Sequence, residues 1–116
     1  MGGTLNKEQR QKFERFLSAP FRLSLLNENM EISALFCDID MASGAVRDAE
    51  TGMAVARATK PVWMPIFDGM RCDLVFPSGD TAILKLFPVI HSNQQAAHFT
   101  LYTAGNVTSG HVSTLD

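Results

Sequence analysis

The sequence lacks the features that identify a disulfide-stabilised, membrane-spanning or nucleic-acid-binding protein. It has two cysteines in 116 residues, and no uncharged apolar run approaches the roughly 20 residues that a membrane-spanning helix needs. Ten Lys and Arg face 12 Asp and Glu, a net charge of −2. Because the basic residues are interspersed, no block of them could neutralise a row of phosphates. We therefore expect no membrane insertion and no sequence-specific nucleic-acid binding.

The first residues predict a cytoplasmic site of synthesis. Residues 1–4 lead directly into a charged amphipathic segment rather than an apolar signal-peptide core. Thiols stay reduced in the cytoplasm, so Cys37 and Cys72 are interpreted as small core residues. The composition, 46% apolar and 19% charged, is typical of one globular domain covering residues 1–116.

Sequence motifs for catalysis or cofactor binding are also missing. There is no C-x-x-C, H-x-x-x-H, G-x-S-x-G, Walker or G-x-G-x-x-G pattern, so we expect no cofactor, no metal and no enzyme activity. The histidines His91, His98 and His111 have no ligand spacing. Aromatic residues could line a ligand cavity, although aromatics in strands are usually core residues. These are Trp63, Phe67, Phe76 and Phe87.

The centre of the sequence predicts neighbouring strands. Apolar runs at 62–67, 74–76 and 83–90 are divided by turn signals at Asp68-Gly69 and at 77–80. Runs of this length between Gly, Pro and Asp clusters are typical of strands joined by short loops. The pattern predicts a β-meander that forms part of the core.

The clearest helix signal lies at residues 6–17. Asn6 is a candidate N-cap with Gln9 three residues later, and Pro20 ends the helix. The apolar stripe is narrow, so the helix must dock on its own sheet or on a neighbouring subunit. The stripe of this candidate docking helix consists of Phe13, Phe16 and Leu17.

Elsewhere the hydrophobic period is two. Alternation at 21–25, 30–36, 53–58 and 97–103 brings the total to about seven antiparallel strands, which predicts a mostly β fold, a small β-barrel or sandwich with one N-terminal α-helix. Residues 38–52 are predicted as a long loop, with a short strand near 45–47 as an alternative. Residues 105–116 are rich in Gly, Ser and Thr and are predicted to form a flexible tail.

The 38–52 segment contains the most suggestive polar residues. An apolar strand running into Asp38-x-Asp40 looks like the nucleophile strand of haloacid-dehalogenase-type phosphatases, but Met41-Ala42 replaces the Gly-Thr of that family. An EF-hand register also fails here, which leaves a loose cation site as an alternative. We favour solvated side chains in a candidate interaction loop. Its residues are Asp38, Asp40, Arg47, Asp48 and Glu50.

With these elements in place, the chain resembles the small head–tail connector (joining, stopper or neck) proteins of tailed bacteriophages. The likeness is one of layout: a helix at 6–17, a strand ending Phe36-Cys37-Asp38, the 39–52 loop, and later strands at 62–65, 73–76, 84–89 and 99–102. It implies a structural virion protein without catalysis. It also implies a cyclic homo-oligomer between a portal or adaptor and tail proteins, with the loop against a neighbour or along the DNA channel.

Two alternatives remain at this point. One is a monomeric β-barrel binding module that takes a small apolar ligand inside the barrel. The other is a metal-dependent phosphatase-like enzyme using Asp38 and Asp40. If the connector interpretation holds, the loop and the tail would order only on assembly, in a virion put together in the host cytoplasm.

Overall fold

The computed structural model describes residues 5–26, 32–89 and 96–115. Within these ranges the chain forms one helix and nine strands, so the mostly β class and the N-terminal helix are confirmed and the strand count is higher than predicted. The elements are α1 (Lys7–Ser18), β1 (Phe21–Leu26), β2 (Ile32–Asp40), β3 (Ala45–Asp48), β4 (Ala54–Ala58), β5 (Val62–Met64), β6 (Gly69–Val75), β7 (Thr81–Pro88), β8 (Ala97–Thr103) and β9 (Asn106–Thr114).

Eight of the described strands close into an antiparallel barrel. Their order is β4-β3-β2-β1-β9-β8-β7-β6, and pairing between β4 and β6 completes the circle. β5 is an extra strand that pairs with the first half of β6, while β4 pairs with the second half. Between these two pairings, the backbone N–H of Thr59 donates a hydrogen bond to the Asp73 carbonyl of β6 at 2.9 Å. The structure thus selects the barrel over the sandwich, and β5, β6 and β7 form the predicted meander.

The barrel interior is filled by side chains that alternate along the strands. β7 shows the pattern clearly: Ala82, Leu84 and Leu86 are buried, and the residues between them are not. The pairing register between β1 and β2 shifts by one residue: Leu23 pairs with Cys37 and Ser24 pairs with Leu35. The skipped residue, Phe36, packs its ring 6.3 Å from that of Phe99. The largest fully buried side chains are Phe21, Leu23, Ile39, Val46, Leu74, Leu84, Leu86, Phe99 and Val112.

The helix α1 packs on its own barrel. The predicted capping box is present, with reciprocal hydrogen bonds between Asn6 and Gln9. The Phe13 ring lies 5.8 Å from that of Trp63 on β5. The whole predicted stripe joins the core of the same chain, with Phe13 5%, Phe16 8% and Leu17 2% exposed. Among the described residues, no helix has the length and apolarity needed to cross a membrane.

Residues 38–52 do not form one long loop, and β3 corresponds to the alternative of a short strand near 45–47. β2 continues to Asp40, and β3 pairs with it through Asp38 opposite Arg47 and Ile39 opposite Val46. The turn between the strands closes at Gly44, whose φ of +76° favours glycine. Val46 supplies the core contact that holds this short hairpin, since only 1% of its surface is exposed.

The predicted flexible tail at 105–116 is also wrong. β9 lies between β1 and β8 and pairs with both. Its small residues are needed because a neighbour fills the space: a Cβ at Gly110 would lie 2.1 Å from the Ser24 carbonyl oxygen and 2.6 Å from Phe99 Cε1. Both β3 and β9 therefore pair with strands of the same chain.

Candidate interaction surface

One outer wall of the barrel exposes a set of large apolar side chains. It follows β5 to β9, on the side of these strands that faces away from the core, together with the turn at 65–68. Ile66 is 83% exposed, Val107 64%, Phe67 62% and Val62 59%. Across the strands, Ile83 lies opposite Tyr102, and Tyr102 lies opposite Val107. We define the apolar wall as Val62, Ile66, Phe67, Val75, Tyr102 and Val107.

A lysine on β7 lies between two aromatic rings of this wall. Lys85 Nζ is 4.8 Å from the ring centroid of Tyr102 and 5.9 Å from that of Phe67. Cation–π attraction of this kind is worth about 0.5–1 kcal/mol at an exposed site. The lysine therefore links the turn at 65–68 to β8, and its aliphatic stem extends the apolar surface between them.

The helix reinforces the same turn from the other side. Asp68 Oδ2 accepts a hydrogen bond from the Leu5 backbone N–H at 3.1 Å, and Asp68 Oδ1 forms an ion pair with Arg10 at 3.3 Å. The Arg10 guanidinium lies 5.3 Å from the Trp63 ring centroid, and Trp63 Nε1 donates to Glu14. Asp68 itself has a φ of +48°. Ile66 and Phe67 are thus presented on a turn that several contacts hold in place.

The opposite outer wall, along β1 to β3, carries charged residues, and two of them, Arg22 and Asp38, form an ion pair. Arg22 donates two hydrogen bonds to Asp38, one of them from Nη2 to Oδ2 at 3.0 Å. The hydrogen bonds to Asp38 raise the pKa of Arg22. Arg47 lies on β3 directly opposite Asp38. The carboxylate of Asp38 is therefore paired with Arg22 and is not a free acidic group.

The remaining residues of the predicted interaction loop are engaged in turns. Asp40 Oδ1 accepts from the Ala42 N–H at 3.0 Å, and Asp48 Oδ1 accepts from the N–H groups of Thr51 and Glu50 at 2.9 and 2.8 Å. These hydrogen bonds, the one from Thr51 foremost, lower the pKa of Asp48. Arg47 Nη1 donates to the Gly52 carbonyl at 3.2 Å. The structure brings Asp38, Asp40, Arg47, Asp48 and Glu50 to one side of the barrel, where most of them stabilise the β2–β3 hairpin and the turn after it.

The geometry of the other candidate chemistry can be stated for the described residues. No group of three or more His, Cys, Asp and Glu side chains there is placed to hold a metal ion. The described strand pairings are all antiparallel, unlike the Rossmann-type core on which phosphatases with an Asp-x-Asp strand are built. Cys37 and Cys72 are buried free thiols, and burial raises the pKa of each to about 12.

The apolar wall is not evident from the sequence. Phe67 was grouped with Trp63, Phe76 and Phe87 as a cavity or core residue, but its ring lies on the outside of the barrel. The run at 62–67 was predicted as one strand, whereas β5 ends at Met64 and residues 65–68 form a turn. Pro65 inside the run was the available signal, since proline interrupts strand pairing.

Comparison with protein-family models, with curated proteins and with solved structures finds no match to this chain.

Proposed function

We propose that this protein is a structural assembly subunit that forms a closed homo-oligomer through the apolar wall. The observation that carries the proposal is the exposure of Ile66, Phe67, Val62 and Val107 on one side of a well-packed barrel. Exposed apolar patches mark interaction sites in soluble proteins. The specific form that we propose is the ring of a phage head–tail connector, on the basis of the layout resemblance.

The energetics of the wall favour many weak contacts over one strong contact. Fully burying a Val, Ile or Phe side chain is worth about 1.5–3 kcal/mol. The four most exposed members still have 59–83% of their surface to bury. Covering them therefore supplies about 4–8 kcal/mol in total. Association itself costs about 4–15 kcal/mol. A single contact between two chains is therefore marginal, and closing a ring, in which every chain makes two contacts, gives the assembly its stability.

The dimensions of the wall agree with a weak contact. Five neighbouring strands about 4.8 Å apart span roughly 20 Å of the curved barrel wall. Four of them have seven to nine residues, which makes the face roughly 25 Å long. A face of this size lies at the low end of the range for specific protein interfaces. The occupant that we assign to it is a second copy of this chain.

Barrel closure determines how such copies would meet. Strand addition needs a free sheet edge. Among the described strands the order ends at β4 and at β5; Arg57 and Ala58 of β4 pair with β6, and β5 has only three residues. Copies would therefore meet through side chains, and in a ring the wall of one subunit contacts a different face of the next. In the connector that we propose, the two open sides of the ring would bind the portal or adaptor and the tail proteins within the virion.

Sedimentation equilibrium with the purified chain tests the proposal over a wide concentration range. We expect reversible association to one closed species larger than a dimer. The double variant Ile66→Ser/Phe67→Ser should weaken it by at least about tenfold, because about 2–4 kcal/mol of apolar burial is lost at each contact. Met53→Ser is the matched control, since Met53 is 68% exposed but lies outside the wall.

Three results would count against the proposal. A chain that stays monomeric at the highest soluble concentration would contradict self-association and favour a monomeric module. Association that stops at a dimer would contradict the ring. Equal weakening by Met53→Ser and by the double variant would place the contact elsewhere on the barrel.

A further inference from the structure

Two histidines lie directly opposite each other on neighbouring strands of the barrel. His98 on β8 pairs with His111 on β9. Their ring centroids are 6.4 Å apart, with an angle of 69° between the ring planes. His98 is exposed and His111 is partly exposed, so a solute can reach the pair from outside. The two rings lie close together because β9 forms and pairs with β8 in this register.

The strands hold these two side chains at a fixed separation. β8 is also paired with β7, and β9 is also paired with β1, so neither strand is at an edge. Directly opposite residues on antiparallel strands have Cβ atoms about 4.5–5.5 Å apart. Two imidazoles on such positions can turn their nitrogens toward one point about 2.0–2.1 Å from each, the usual Zn–N distance. The backbone therefore supplies the preorganisation that a two-ligand site needs.

His111 is partly buried and lies opposite a serine of the neighbouring strand β1. Burial, and to a lesser extent the nearby charge of His98, lowers the pKa of His111. The next position in the same row is Ser24 on β1, opposite His111. Its hydroxyl is buried and has no hydrogen-bond partner within the described part of the chain.

We propose that His98 and His111 together bind one first-row transition metal ion of the Zn²⁺ class, with water in the remaining coordination positions. Imidazole nitrogen is a preferred ligand for Zn²⁺, Cu²⁺ and Ni²⁺. The two thiols do not compete for the ion, because Cys37 and Cys72 are buried on the inner side of the barrel and burial raises the pKa of each to about 12. The proposal does not depend on the assembly proposed above, although the pair lies on the outer face of β8 and β9 that also bears the apolar wall.

Calorimetric titration with ZnCl₂ tests the site, at neutral pH and at a protein concentration where light scattering gives the mass of one chain. We expect one Zn²⁺ per chain. His98→Asn and His111→Asn should each weaken binding by at least about tenfold, because one remaining imidazole lacks the second ligand of the chelate. Ser109→Ala, on the same outer face of β9 as His111, is the matched control and should bind as the wild type does. Circular dichroism checks that all variants fold.

A second readout separates bridging of the strands from adventitious binding. An ion held between β8 and β9 stabilises only the folded chain, so Zn²⁺ should raise the unfolding temperature of the wild type and of Ser109→Ala but not of His98→Asn. Equal affinity in the wild type and both histidine variants would overturn the proposal. So would an equally large loss of affinity in His91→Asn, because it would show that the pair alone does not form the site.

Discussion

Truncation of Leu17 tests whether the helix belongs to its own barrel. Leu17 is 2% exposed and belongs to the same core cluster as Phe13, Phe16 and Phe21. Replacing a buried leucine by alanine removes its apolar contacts and leaves a cavity, which costs about 2–5 kcal/mol. Alanine is the best helix former, so the loss reflects packing and not helix propensity. We predict that Leu17→Ala destabilises the isolated chain by that amount.

Urea unfolding at several protein concentrations measures this effect. A domain of this size unfolds with a slope of about 1–3 kcal/mol per molar urea, so the midpoint should fall by about 1–2 M at every concentration. Lys12→Ala is the control, because Lys12 is an exposed residue of the same helix whose pairing with Glu8 spans 4.0 Å. Surface pairs of this kind contribute about 0.3–0.5 kcal/mol.

One outcome would refute the assignment of the helix to its own barrel. If Leu17→Ala leaves the unfolding midpoint of the monomer within error of the wild type but abolishes self-association, then the stripe of α1 packs on a neighbouring subunit. That was the second alternative for the candidate docking helix, and the buried positions of Phe13, Phe16 and Leu17 argue against it.

Three further predictions follow from single sites. Gly110→Ala should destabilise the chain by about 1–3 kcal/mol or more in urea unfolding, because its Cβ would collide with backbone and ring atoms, and a wild-type midpoint would contradict the close approach of β9. Cys37 and Cys72 should react with a thiol-specific chromogenic reagent only at the rate of unfolding, since burial raises the pKa of both thiols to about 12. Fast reaction of the folded chain would disprove their burial. The pKa of His111 is lowered in the folded state, below its unfolded value of about 6.5, so the unfolded chain takes up the proton first as the pH falls. Stability should therefore be lost as the pH drops from 7 through the folded pKa, and His111→Asn should flatten this dependence. If His111→Asn loses stability with falling pH as the wild type does, this prediction is wrong.

Much of the fold could be predicted because local signals and tertiary packing agree in many segments. The capping box at Asn6 and Gln9 defines the start of the helix, and strict alternation at 97–103 gives β8 with its observed bounds. The strands at 21–25 and 53–58 also follow a period of two, and both lie in the barrel.

The missed strand β9 and the weakly signalled strand β3 share a physical cause: their burial depends on residues far away in the chain. β9 has small side chains because the Phe99 ring occupies the space over Gly110, and this cannot be inferred from composition alone. β3 rests on one large core residue, Val46, too little for a periodic signal. A single sequence gives no indication of which partner fills such gaps.

The candidate site was misplaced for a related reason. Charged residues near a predicted loop suggested the interaction surface, but pairing with Arg22 and local turns neutralise Asp38 and Asp48. The apolar wall was hidden because Ile66 and Phe67 continue an apolar run that resembles a core strand. Only the turn at 65–68 reveals that the two side chains point outward.

Hydroxyl-radical footprinting of the chain, compared between dilute monomer and associated sample, shows whether the apolar wall is covered on association. It measures the access of solvent to individual side chains, and both Phe67 and Tyr102 are reactive and exposed in the single chain, as is Met53 outside the wall. If the apolar wall is the contact between copies of the chain, we expect the oxidation of Phe67 and Tyr102 to fall on association while the oxidation of Met53 stays constant. Unchanged oxidation of Phe67 and Tyr102 in the associated sample would contradict it.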